Sequence, residues 1–183
     1  MIYVSAGHHP EKQGACHNGF CEHDEAKKWA SLIANHLGHD GMVVPVGTLK
    51  TKVDFINSRT PSDNDVAIEI HFNSAMKDGV HIGRGSETLY YPGSKRGEEI
   101  AAKVQFTLGG IFVPDRGAKE GWYQMNEAKG PDFFLARTRC TAIIIEPDFI
   151  HRKAKIESKR DLACEAIAKT LIDVILIEEF SRD

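Results

Sequence analysis

The chain has 183 residues, of which 42% are apolar and 27% charged, values typical of one globular domain with a full core. A net charge of -3 and a pI near 6.3 provide no broad basic field, so neither a nucleic acid nor an anionic membrane is indicated as a partner. Residues 1–7 lack a basic leader, and no apolar run approaches the roughly 18 residues that span a bilayer. We therefore expect synthesis in the cytoplasm without a signal peptide.

The first half of the chain predicts strands at residues 2–5, 42–46 and 66–72, separated by helices at 22–37 and 50–58. In the third strand Ile68 and Ile70 point to one face, while Glu69 and His71 point to the other. In the first helix the apolar residues recur at helical spacing, at Ala26, Trp29, Ala30, Ile33 and Leu37. Each element therefore has a face that can pack against another.

The second half predicts strands at residues 87–91 and 141–146, and helices at 94–108 and 158–180. The strand at 141–146 is a continuous apolar run, which is typical of a strand buried on both faces. Residues 115–126 show no periodicity and are predicted to form a loop. The alternation of strands and helices predicts an α/β fold, a single domain over residues 1–183 with a mostly parallel twisted sheet and helices on both faces.

Four cysteines are present, and without a secretory signal they are expected to be thiols rather than disulfides. Cys16 and Cys21 are five residues apart, which is not the C-x-x-C spacing of a zinc knuckle. We interpret this pair as incidental.

Ionisable residues stand where three predicted strands end. His8 follows the first strand, His71 ends the third and Glu146 ends the strand at 141–146, while Glu22 opens a helix that faces them. The carboxyl ends of strands in an open α/β sheet form one crevice, so these groups can converge. Two alternatives stay open on spacing alone, His9 in place of His8 and Glu25 in place of Glu22.

Two histidines and a carboxylate, with a fourth position left for water, form a ligand set typical of catalytic zinc. A further carboxylate in the same crevice could then act as general base for the water that the metal activates. Glu69 either orients one of the histidines or is a solvated strand residue.

Six motifs in order resemble one known family. They are Gly7-His8, the helix start at residues 18–24, the strand at 68–74, the Tyr-Tyr strand at 88–94, the Asp-Arg-Gly-x-Lys loop at 115–119 and the strand at 143–150. Together they are similar to the zinc-dependent N-acetylmuramoyl-L-alanine amidases of the Amidase_3 type, found in bacterial autolysins and phage endolysins. The sequence departs from the family pattern at His9, where glycine is usual, and at Glu69, where serine is frequent.

The resemblance implies Zn²⁺ as the cofactor, with His8, Glu22 and His71 as its ligands and Glu146 as the catalytic carboxylate. It also implies that Arg116 and Lys119 bind the carboxylates of a stem peptide, although a surface ion pair is an equal alternative for each. Trp122 and Tyr123 either line the groove or pack under it.

The implied activity is that of a peptidoglycan hydrolase, which cuts the amide bond between the lactyl group of N-acetylmuramic acid and L-alanine. Without a signal or an obvious wall-binding module, the chain is expected to be a phage or prophage endolysin that reaches the wall through a holin or after lysis. The alternatives are a zinc hydrolase of another N-acyl amino acid amide, or a relative that binds metal or wall without catalysis. The oligomeric state cannot be predicted.

Overall fold

The computed structural model describes residues 1–180, with the side chains of residues 1–124 and 126–175. The strands of this part are β1 (Ile2–Ala6), β2 (Cys16–His17), β3 (Phe20–Cys21), β4 (Gly41–Val43), β5 (Val66–Ile70), β6 (Met76–Lys77), β7 (Val80–His81), β8 (Ser86–Tyr90), β9 (Asp115–Glu120) and β10 (Thr141–Glu146). The α-helices are α1 (Glu22–Leu37), α2 (Leu49–Ser58), α3 (Lys95–Ile111), α4 (Phe133–Arg137) and α5 (Lys153–Phe180). Residues 181–183 of the predicted domain lie outside the described residues, and the domain boundaries stay a prediction.

Six strands form the central sheet in the order β4-β1-β5-β10-β8-β9. Neighbours among β4, β1, β5 and β10 pair in parallel, whereas β8 runs antiparallel to β10 and pairs in parallel with β9. The sheet is therefore mostly parallel, as predicted. Because Ile2 and Thr141 are both in register with Val66, the carboxyl ends of β1, β5 and β10 lie side by side.

Helices cover both faces of the sheet, which confirms the predicted α/β architecture. One buried cluster joins α1, α3 and α5 to the strand residues that include Val4, Ile68 and Ile143. A second cluster joins α2 and α4 to the opposite face, through residues that include Ala67 and Ile144. Each central strand thus contributes alternate side chains to two apolar layers, and this fixes the direction in which its last residues point.

Several element boundaries differ from the prediction, and the structure predicted for one segment was wrong. The second strand ends at Val43 rather than at residue 46, and the last helix begins at Lys153 rather than at residue 158. Residues 115–120, predicted as loop, form the edge strand β9. Hydrogen bonding to β8 creates this strand, and its partly exposed faces give no apolar alternation to detect.

The prediction of free thiols was wrong for one pair of cysteines. A disulfide joins Cys16 to Cys21, because the β2–β3 hairpin places these two residues directly opposite each other. Cys140 and Cys164 are buried thiols, as expected. In the described part of the chain, no helix combines the length and the apolar character required to cross a bilayer.

Candidate metal centre and active site

Three sequence-predicted residues meet at the carboxyl edge of the sheet. His8 follows β1, His71 follows β5 and Glu22 is the first residue of α1. The Nε2 atom of His8 lies 3.0 Å from Oε1 of Glu22, and Nδ1 of His71 lies 2.9 Å from the same oxygen. The ligand atoms of the three residues all lie within 4.8 Å of one another, so this group could hold a metal ion.

Backbone hydrogen bonds between the strand ends position the two histidines. The Gly7 amide donates to the Ile70 carbonyl at 2.8 Å, and the His71 amide donates to the Ile145 carbonyl at 2.9 Å. His8 has a φ of +56°, a conformation that side chains other than glycine adopt infrequently. This turn sends the His8 ring towards Glu22 and His71.

Glu22 is held rigidly within the group. Its Oε2 accepts a hydrogen bond from the Ala15 amide at 3.1 Å, and its Oε1 accepts one from the Phe72 amide at 3.1 Å. Burial alone would raise the pKa of Glu22, but the hydrogen bonds and charges of His71 and His8 outweigh burial and hold the pKa well below its usual range. Glu22 is therefore ionised, and its carboxylate oxygens can serve as metal ligands.

Gly14 packs directly against the Glu22 carboxylate and the His8 ring. Its φ is +74°, and a Cβ atom there would lie 2.5 Å from Oε2 of Glu22 and 2.5 Å from Cδ2 of His8. Only glycine satisfies both the backbone conformation and the close approach.

The structure also places the two alternative ligands. Glu25 is fully buried but faces away from the histidines, and it accepts hydrogen bonds from Trp29 Nε1 at 3.1 Å and from Arg160 Nε at 2.5 Å. His9 pairs through its backbone with Lys12 and is not part of the ligand group. The geometry therefore brings together His8 and Glu22, the pair preferred by the resemblance.

A buried ion pair supports His71 from behind. Nε2 of His71 lies 3.1 Å from Oε2 of Glu69, and Oε1 of Glu69 lies 3.0 Å from Nζ of Lys52. Lys52 also donates to the Ala6 carbonyl at the end of β1. Glu69 is only 2% exposed, so the interpretation of a solvated strand residue is wrong. Glu69 orients His71, so that Nδ1 of the ring faces Glu22.

Lys52 was missed by the sequence reasoning. It lies one turn before Ile56 on α2, so it shares the inward face of that helix. A lysine on an apolar helix face, in a chain with an unexplained Glu69 on a buried strand, is the signal that could have found it.

Glu146 lies at the end of β10, beside the ligand group. It lines a cavity of about 170 Å³ whose walls are His71, Leu89, Trp122, Gln124, Asp132, Ile144 and Glu146 itself. Its Oε2 atom is buried without a hydrogen-bond partner. Burial raises the pKa of Glu146 to about 8 and is the largest influence on it. The positive charges of His71 and Arg116 lower the pKa, whereas the negative charges of Glu22 and Glu87 raise it.

Arg116 and Lys119, on β9, both contact Glu87 rather than Glu146. Nη2 of Arg116 lies 2.8 Å from Oε1 of Glu87, and Nζ of Lys119 lies 2.6 Å from Oε2. Glu87 is buried, and the strand register places it opposite Glu146. The two cations therefore neutralise a second carboxylate at the border of the site.

Asp132 is a further cavity residue that the sequence reasoning missed. It caps α4, where its Oδ1 accepts a hydrogen bond from the Phe134 amide at 2.8 Å. Burial raises its pKa. An aspartate before the apolar pair Phe133-Phe134 is a recognisable helix start, but nothing in that pattern indicates a place in the cavity. Trp122 lines the same cavity, whereas Tyr123 is 48% exposed.

Comparisons with known proteins identify the family of the chain. The Amidase_3 family, described as N-acetylmuramoyl-L-alanine amidase, matches residues 2–176. No curated protein sequence matches the chain.

Several solved structures share the fold. An N-acetylmuramoyl-L-alanine amidase from Clostridium difficile 630 is 24% identical, with a TM-score of 0.73 over 100% of this chain and 97% of that one. The catalytic domain of the CD27L endolysin, which targets Clostridium difficile, is 27% identical, with a TM-score of 0.67 over 96% of each chain. The amidase AmiC2 of Nostoc punctiforme is 18% identical, with a TM-score of 0.77 over 96% of this chain and 97% of that one.

The family match covers nearly all of the described residues, including both histidines, Glu22 and Glu146. The chain belongs to the Amidase_3 family of N-acetylmuramoyl-L-alanine amidases.

Proposed function

We propose that this peptidoglycan amidase works with Zn²⁺ held by His8, Glu22 and His71, and that Glu146 is its proton-transfer group. The bond cut is the amide between the lactyl group of N-acetylmuramic acid and L-alanine of the stem peptide. The observation that carries the proposal is the convergence of three ligand atoms within 4.8 Å, next to a cavity lined by Glu146, whose Oε2 atom has no hydrogen-bond partner.

The donor set fits the proposed metal. Two imidazole nitrogens and one carboxylate oxygen, with room for water, are typical ligands of catalytic zinc. Glu22 is ionised and His71 is oriented by Glu69, so two of the three donors are already fixed. When bound, zinc would polarise the scissile carbonyl and activate the attacking water.

Glu146 has the environment that proton transfer requires. Its pKa is raised to about 8, which lies far closer to neutral pH than the pKa of an ordinary glutamate. A group in this range can accept a proton from the attacking water and return it to the leaving amine. Its unpartnered oxygen is free to make both contacts.

The substrate is proposed to enter across the cavity side of Glu146. Arg116 and Lys119 are proposed to bind a carboxylate of the stem peptide, in competition with Glu87. The side chain of Lys119 is 37% exposed, so it can turn from Glu87 towards solvent. The likeness to an endolysin catalytic domain supports a role in phage or prophage lysis, with action on the wall after release through a holin or by lysis.

Digestion of purified peptidoglycan tests the proposal. Mass spectrometry of the products should show glycan strands with intact lactyl groups and free stem peptides that begin with L-alanine. A chelator should abolish their release, and added Zn²⁺ should restore it. Cleavage at any other bond would contradict the proposed specificity, and full activity in the chelator would contradict the proposed metal.

A further inference from the structure

A second cluster of histidines lies outside the amidase site. It consists of His17 on β2, His81 on β7 and His151 in the loop between β10 and α5. The ring centroids of His17 and His81 lie 4.4 Å apart, those of His81 and His151 5.5 Å apart, and those of His17 and His151 6.2 Å apart. Three separate loop segments thus bring their imidazoles to one place.

The cluster contains hydrogen-bonding groups that the protein leaves unused. Nδ1 of His81 and Nδ1 of His151 are both buried without a hydrogen-bond partner. A buried ring nitrogen without a partner is costly, so two of them in adjacent rings need an explanation. A metal ion supplies one, because it takes up the lone pairs of several imidazoles at once.

The ring centroids are close enough together for the three rings to reach a shared ion. With a Zn–N distance of about 2.1 Å, the centroid of each ring lies about 3.2 Å from the metal, so tetrahedrally placed rings have centroids about 5 Å apart. The three measured separations bracket this value, and the rings of His8 and His71 in the amidase site are 4.9 Å apart. The rings of His81 and His151 are stacked at 22° to each other, so their lone pairs do not yet point at a common ion. Among the described residues only the amidase group already has its ligand atoms within 4.8 Å of one another, so the second cluster must rotate at least one ring to bind.

Three cations, Arg152, Lys153 and Lys155, line the pocket that contains His17 and His151, and two of them have acidic partners. Arg152 is neutralised by Asp148, with Nη1 at 3.0 Å and 2.8 Å from the two carboxylate oxygens, and Lys153 lies 4.0 Å from Glu157. Burial lowers the pKa of His151, and the neighbouring His81 and His17 lower it further, so its ring stays neutral and able to bind a metal.

We propose that His17, His81 and His151 form a second metal site, which takes a divalent transition metal that favours imidazole, such as Zn²⁺ or Ni²⁺. The ion ties the β2–β3 hairpin and the β6–β7 hairpin to the segment that precedes α5. The β2–β3 hairpin runs directly into Glu22, so this ion also restrains the approach to the amidase site.

Metal stoichiometry of the full chain tests the site. The protein is stripped with a chelator, dialysed against Zn²⁺, freed of loose metal and analysed by mass spectrometry of the metal. We expect two equivalents in the wild type and one in His81→Gln and in His151→Gln. The control His39→Gln alters a side chain that is 95% exposed and should keep two equivalents.

A further variant separates this site from the proposed amidase metal. His71→Ala should keep one equivalent, which a second change, His81→Gln, removes. Circular dichroism and a cooperative thermal unfolding transition show whether His81→Gln and His151→Gln are folded. Metal content that stays the same in the folded His81→Gln and His151→Gln variants as in the wild type would overturn the proposal. A wild type with a single equivalent that His81→Gln removes and His71→Ala retains would instead contradict the proposed amidase metal.

Discussion

Two carboxylates at the same edge of the sheet have opposite environments. Glu22 accepts hydrogen bonds from two backbone amides and contacts two imidazoles, which keeps it ionised. Glu146 is half-buried, its Oε2 atom is enclosed without a hydrogen-bond partner, and its pKa is raised to about 8. Two neighbouring carboxyl groups whose pKa values are driven apart can divide their tasks, one as a fixed anion and the other as a proton carrier. This difference in environment suits Glu22 to the proposed role of metal ligand and Glu146 to the proposed role of general acid and base.

Exchanging each carboxylate for its amide should give the largest effects. Glu146→Gln should reduce amine release from peptidoglycan by about 10³-fold while the protein keeps its metal, since the amide cannot carry the proton. Glu22→Gln should instead lower the metal content after dialysis. A Glu146→Gln protein that lost its metal, beside a Glu22→Gln protein that kept it, would reverse the two roles.

The next largest effect is expected at the buried ion pair of Lys52 and Glu69, which supports His71. Lys52→Met leaves Glu69 buried without its cation, so unfolding in urea should show a loss of about 3 kcal/mol. Lys50→Met on the same helix is the matched control, because Lys50 is exposed and its pair with Asp54 should contribute less than about 1 kcal/mol. Equal losses in the free energy of unfolding of the two variants would show that the buried pair stabilises the fold no more than the exposed pair does.

The pH dependence of stability should differ between the two carboxylates. The pKa of Glu146 is raised on folding, so its burial costs nothing at pH 4, and the cost grows as the pH rises towards 8. In chelator-treated protein, the free energy of unfolding of Glu146→Gln should therefore rise above that of the wild type between pH 5 and pH 8, by on the order of 2 kcal/mol. The melting temperature of the variant should exceed that of the wild type by an increasing margin over the same range. Glu22 has a lowered pKa, so its contribution is present above pH 4.5 and is lost only in more acidic solution. A constant difference in melting temperature across this range would contradict the raised pKa of Glu146.

The smallest effect is expected at the border of the site. Lys119→Met leaves Glu87 paired with Arg116, so KM for peptidoglycan should rise by about 2–5-fold with kcat nearly unchanged. Initial rates at several peptidoglycan concentrations measure both parameters. A fall in kcat without a change in KM would place Lys119 in the chemistry instead of in substrate binding.

Periodic patterns predicted most of the fold. The central strands and helices α1, α2 and α3 follow from apolar spacing, because a buried face leaves a repeat of two or 3.6 residues in the sequence. The edge strand β9 has no such face, so its pairing with β8 was invisible. The cysteine pair was missed for a related reason, since hairpin pairing and not spacing brings Cys16 opposite Cys21.

By itself the sequence determined that His8, His71 and Glu146 stand at strand ends and that Glu22 opens a helix, since those places depend on local patterns. The tertiary structure alone decided that His8 and Glu22, and not His9 and Glu25, meet His71, because a positive φ and a long-range strand register direct the side chains. It also decided that both oxygens of Glu22 accept hydrogen bonds, whereas Oε2 of Glu146 is left without a partner. Burial and contact between distant segments set the pKa values, and neither quantity is present in a linear chain.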